Sequence, residues 1–101
     1  MEVTVNKLDG VTTVTLDGRL DTPASPEVSA KLEPVLQDAS GTIVLDCGRM
    51  SYISSSGLRI FLTVRKAAAA AGGKVIVRGL VPEVRSVFMM TGFLNLFQIE
   101  E

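Results

Sequence analysis

The run Thr42-Ile43-Val44-Leu45-Asp46-Cys47 admits fewer folds than any other segment of this chain. It is almost continuously apolar, has the length of a strand and follows a glycine. That pattern is the signature of a central strand covered on both faces, and it calls for a sheet with helices packed against it. The flanking sequence supplies candidates for both. Val3 to Lys7 reads as a first strand, Asp9-Gly10 as a short hairpin, and Val11 to Asp17 as a second strand in which Val14 and Leu16 alternate with Thr13 and Thr15. Gly18-Arg19-Leu20-Asp21-Thr22-Pro23 breaks that alternation.

Ser25 fits an N-cap with Pro26 at the first helical position, and Val28, Leu32, Val35 and Leu36 keep helical spacing although Pro34 should distort or shorten the helix. After the central run, residues 55 to 71 form the strongest helix signal, closed by Gly72-Gly73. Lys74 to Arg78 is a further buried strand. Val81-Pro82-Glu83 opens a last helix stopped by Gly92, and Leu96 to Ile99 reads as a final short strand. Two strands followed by alternating helix and strand imply one α/β domain with a mixed, partly parallel sheet and right-handed crossovers, its helices mainly on one side.

Composition narrows the chemistry. The chain of 101 residues contains no histidine, so it lacks the commonest general base and the commonest transition-metal ligand. Its one cysteine, Cys47, forms no internal disulfide and suits a reducing cytoplasm as a small buried hydrophobe. Ten basic against eleven acidic residues leave a net charge of −1, which attracts neither nucleic acid nor an anionic membrane. No metal, no cofactor and no membrane span are implied, and a monomer is expected. No Walker-type phosphate loop is present either.

The informative segment is Met50-Ser51-Tyr52-Ile53-Ser54-Ser55-Ser56-Gly57-Leu58-Arg59, between the central strand and the long helix. In α/β proteins this carboxyl edge of the sheet is where sites gather. Three hydroxyls there face unpaired backbone N–H groups and the positive end of the helix, a setting that holds a phosphate, and Gly57 lets a partner or an anion approach the backbone. A serine before a helix also serves as a plain N-cap.

In the helix, Arg59, Thr63 and Lys66 form one narrow polar stripe, while Leu58, Ile60, Phe61, Leu62 and Val64 fill an apolar arc wider than contact with a single sheet requires. Either the last helix packs over the surplus, or it stays exposed as a docking surface beside the serines. Asp21 and Asp46 read as loop-closing acceptors, with Asp21 also a candidate partner contact. At least two of Met89, Met90 and Phe93 are expected in the core. Lys66, roughly 15 Å along the helix from Ser55, is too distant to activate it as a nucleophile, so an enzyme is not indicated.

These residues resemble the STAS-domain anti-sigma factor antagonists over essentially the whole chain. The resemblance rests on Gly18-Arg19-Leu20-Asp21, on Ile43-Val44-Leu45-Asp46, on Ser51-Tyr52-Ile53-Ser54-Ser55-Ser56-Gly57-Leu58, and on the spacing of Gly72-Gly73, Pro82 and Thr91-Gly92-Phe93. It implies a single STAS domain over residues 1–101 that, unmodified, binds an anti-sigma factor acting as a serine kinase of the GHKL ATPase type. It further implies that this kinase phosphorylates one serine and that a metal-dependent serine phosphatase resets it, in the cytoplasm.

By position the acceptor is Ser55, with Ser54 second and Ser56 third; many relatives carry Asp where this chain has Ser54. The partner surface so implied comprises Asp21, Ser54, Ser55, Ser56, Gly57, Leu58, Arg59 and Leu62. The alternative is a constitutive STAS scaffold, never phosphorylated, within a larger transport, secretion or signalling complex.

Overall fold

The computed structural model describes residues 1–101. In chain order the elements are β1 (Glu2–Leu8), β2 (Val11–Leu20), α1 (Ser25–Gln37), β3 (Thr42–Ile53), α2 (Ser55–Ala71), β4 (Lys74–Arg78), α3 (Pro82–Met90), a short 3₁₀ turn (Phe93–Asn95) and β5 (Gln98–Glu100). Asp9 and Gly10 both take positive φ, 53° and 77°, the pair of left-handed residues that matches a tight hairpin to the twist of its strands. The strands lie in sequential order β1-β2-β3-β4-β5; only β1 and β2 are antiparallel.

That order decides where the core lies. Right-handed crossovers between sequential parallel strands return every helix to the same side of the sheet. One cluster accordingly joins Val14, Leu16, Ile43, Leu45, Val75 and Val77 of the strands to Val28, Leu32, Phe61, Val64, Val84 and Phe88 of the helices. The central strand is therefore covered by helices on one face only, as the expected one-sided helix layer requires, and its second face is buried without them. On the other face Val44 and Ile76 are register partners flanked by Thr13 and Gln98, and the side chains of that face enclose them to 2% and 7% exposure. An apolar run reports burial, and a neighbouring strand buries as well as a helix does.

Both long strands outrun their sequence limits. β2 continues through Gly18 to Leu20 and β3 continues through Met50 to Ile53, paired in parallel, with register shifts at Thr15/Asp17 and Gly18/Arg19. Such bulges destroy the strict alternation by which strands are read, which is why the segments look like loops. The first helix also starts differently. Ala24, not Ser25, occupies the N-cap position, and Ser25 lies inside the helix with its hydroxyl donating to the Asp21 carbonyl at 2.9 Å. α1 then runs past Pro34 to Gln37. At the edge of the sheet Lys7 faces the helix side of β1 and pairs with Asp38, beyond the end of α1.

α2 is the middle helix, and its wide apolar arc is covered from two sides. Ile60 and Val64 share a groove with Leu32 and Leu36 of α1, and Phe61 meets Phe88 of α3 edge-to-face at 5.6 Å between ring centroids. Phe93 and Phe97 complete an aromatic cluster around Phe88. Of the large apolar residues in the first two turns of α2, Leu62 remains exposed, at 38%. Phe93 is in the core, whereas Met89 and Met90 are 64% and 77% exposed. Val84 and Phe88, four apart, already occupy the inward face of the nine-residue α3, and the two positions after Phe88 rotate away from it. The last strand starts at Gln98 rather than Leu96, whose carbonyl instead accepts from Arg65 Nε at 2.9 Å.

At the amino end of the strands, three turns stack through their backbones. Thr42 N–H donates to Gly10 O and Lys74 N–H donates to Gly41 O, each at 3.1 Å. Gly73 fits into this stack so closely that a Cβ there would lie 2.1 Å from Ala39 O and 2.4 Å from Gly41 O.

Candidate functional site

The opposite, carboxyl end of β2 and β3 carries the three serines, each held in a different environment. Ser54 leaves β3 in extended conformation (φ −92°, ψ 172°) as the N-cap of α2, and its Oγ accepts the Gly57 N–H at 3.1 Å. Its own N–H donates to Leu20 O at 2.9 Å, which ties the turn to the end of β2. Ser54 is buried, and the cap it makes is worth about 1 kcal/mol. Ser55, the first helical residue, is exposed, and the side-chain hydrogen bonds of the turn fall on its neighbours. Ser56 Oγ accepts from Arg59 Nη2 at 3.2 Å and lies 3.4 Å from Thr22 Oγ1.

The loop after β2 is braced next to this turn. Asp21 Oδ1 accepts the Ala24 N–H at 3.0 Å, so its carboxylate closes its own loop and places Thr22 beside Ser56. Asp46 closes the β3 bulge in the same way, accepting the Gly48 N–H at 3.1 Å. Between them on β3, Cys47 is fully buried; burial, and then the charge of Asp46, push its thiol up to about 12 and keep it neutral.

Three residues of the implied partner surface face inward. Ser54 is spent on the cap. Leu58 is 8% exposed and packs in the core. Gly57 opens toward the interior rather than toward a partner or an anion: a Cβ there would lie 2.7 Å from Leu20 Cγ and 2.9 Å from Ile53 Cγ1. The first turn of α2 sits directly on the ends of β2 and β3, and that close seat is what demands glycine. Gly57→Ala is expected to cost about 1–2 kcal/mol, because overpacking outweighs the better helix propensity of alanine. Urea unfolding measures this, and an unchanged midpoint would show that the seat is loose.

Asp21, Ser55, Ser56, Arg59 and Leu62 keep half-buried or exposed positions around the turn. Two residues the sequence reading passes over lie at the same end of the sheet. Arg19 and Tyr52 are register partners, and the guanidinium carbon of Arg19 stands 4.3 Å from the Tyr52 ring centroid. Their signal was alternation with buried Leu20 and Ile53, hidden by the bulges. Electrostatically the turn is bare: α1 and α3 have Glu27 and Glu83 in their first turns, and α2 has no acid there. The serine turn also lines none of the surface clefts, the largest of which, about 290 Å³, opens between Arg65 and Lys74 at the other end of α2. The exposed Ser55 hydroxyl therefore stands on open surface rather than inside a cleft.

The STAS domain family model matches residues 2–101. BtrV of Bordetella bronchiseptica, named as an anti-sigma factor antagonist, is 35% identical over 98% of this chain and 85% of its own length. The crystal structure of an anti-sigma factor antagonist from Mycobacterium paratuberculosis superposes with a TM-score of 0.81 at 27% identity, over 98% of this chain and 84% of that one. The Bacillus cell fate determinant SpoIIAA in its phosphorylated form gives a TM-score of 0.74 at 23% identity, over 97% and 90% of the two chains.

Proposed function

From the premise that this chain belongs to the STAS domain family, we propose that it is an anti-sigma factor antagonist switched at Ser55. The unmodified form binds an anti-sigma factor that is also a serine kinase of the GHKL type and so frees the target of that factor. The kinase transfers the γ-phosphoryl group of ATP to Ser55 Oγ, the hydroxyl proton is lost and ADP leaves. A metal-dependent serine phosphatase restores the hydroxyl by hydrolysis.

The observation that carries this reading is the division of labour among the serines. Ser54 is buried as the cap and Ser56 is engaged by Arg59, which leaves Ser55 exposed at the head of the helix. The names of the relatives and the existence of SpoIIAA in a phosphorylated form support it. The presence of Ser54 where many relatives carry Asp fits the same geometry, because both residues cap helices through a side-chain oxygen. The docking surface proposed for the partner is Ser55, Ser56, Arg59 and Leu62, flanked by Asp21 and by the Arg19–Tyr52 pair; exposed arginine and tyrosine are residue types that anchor interfaces.

The test is phosphate transfer. The protein is incubated with ATP and the kinase recovered with it from its own cell, and the product is mapped by mass spectrometry. One phosphate on Ser55 is expected. Phosphate on Ser54 would overturn the assignment of roles, and no phosphate on residues 54 to 56 would favour the constitutive scaffold.

A further inference from the structure

We propose that Arg59 captures the phosphate placed on Ser55, so that modification withdraws a cation from the docking surface as well as adding an anion. This inference rests on the reading of Ser55 as the acceptor and adds the residue that reads its state. Side chains four apart on a helix are neighbours, with about 5–6 Å between their Cβ atoms, and long side chains lean back toward the amino end. Arg59 already does so. Its Nη2 donates to Ser56 Oγ at 3.2 Å, which holds the guanidinium over the first turn.

A neutral hydroxyl is a modest acceptor, whereas phosphate oxygens form charge-assisted bonds roughly twice as strong, and the guanidinium has further donors to give. No acid in the first turn of α2 competes for it. Among the charged groups on β2, β3 and the loop after β2, Asp21 accepts the Ala24 N–H, Asp46 accepts the Gly48 N–H, Arg19 lies over Tyr52, and Arg49 pairs with Asp17 at 3.7 Å; Glu83 stands in the first turn of α3. On phosphorylation Arg59 therefore exchanges Ser56 for the phosphate. The partner loses a guanidinium it met in the unmodified form, and an acidic group opposite Arg59 is the chemistry that fits the partner side.

The test installs phosphoserine at position 55 during translation, so that it needs no kinase, and follows the phosphorus NMR resonance with pH. Arg59 favours the dianion, so its loss must raise the second phosphate pKa, ordinarily about 6. R59Q is expected to raise that pKa by about 0.5–1 unit relative to the otherwise native chain, and R59K by less. Equal values in all three proteins would overturn the capture while leaving the acceptor assignment intact. Failure of the acceptor assignment shows itself separately, as absence of phosphate transfer to Ser55 by the kinase.

Discussion

Ser55→Asp is expected to weaken binding of the anti-sigma factor by about two orders of magnitude, whereas Ser55→Ala stays within a few-fold of the native chain. Two effects oppose each other at this position. An anion at the start of α2, where no acid stands, is favoured by the helix dipole by about 0.3–1 kcal/mol. The same anion pressed against a desolvated or acidic partner surface costs several kcal/mol, and about 3 kcal/mol corresponds to the expected loss. The larger effect wins at the interface, and the smaller one wins in the isolated domain. Ser55→Asp should therefore unfold at slightly higher urea concentration than the native chain while binding far more weakly. Isothermal titration calorimetry and chemical unfolding measure the two quantities, and equal affinity of the Ala and Asp variants would remove the electrostatic basis of the switch.

Gly73→Ala is expected to destabilise the domain by about 3 kcal/mol or more, a fall in melting temperature of roughly 12–24 °C for a chain of this size. The added methyl group would meet main-chain atoms, Ala39 O at 2.1 Å, Gly41 O at 2.4 Å and Ser40 C at 3.0 Å, and these have no rotamer by which to retreat. The adjacent Gly72 separates contact from conformation. It takes φ of 78° with nothing within 4 Å of a built Cβ, so Gly72→Ala meets only the left-handed penalty of about 1–2 kcal/mol. Calorimetric melting of both variants decides the point, and equal losses would refute the close packing of the three turns.

The periodic parts of the fold were legible from the sequence. The hairpin at Asp9-Gly10, α2 with its glycine terminus and the last helix all appear where local pattern places them. The ends of β2 and β3 were hidden, because bulges put residues out of phase and a broken pattern reads as a loop. The fate of Val44 was also hidden, since burial by adjacent strands and burial by a helix leave the same apolar residue. At the site, a run of three serines announces a helix start, but which hydroxyl caps and which protrudes differs by a single residue of register. The inward aim of Gly57 depends on Leu20, which is distant in sequence and reaches the turn only through the β2–β3 pairing.

The Lys7–Asp38 pair has a consequence for how copies of this protein coexist. β1 is an outermost strand of seven residues without a proline, and its free row of main-chain donors and acceptors is a template on which a foreign strand could grow. A lysine aimed across that border toward the helix layer, with an aspartate waiting for it, makes the template costly to extend, because an incoming chain would have to dehydrate both charges. Charged side chains at such a border are one of the ways sheet proteins oppose edge-to-edge pairing between copies.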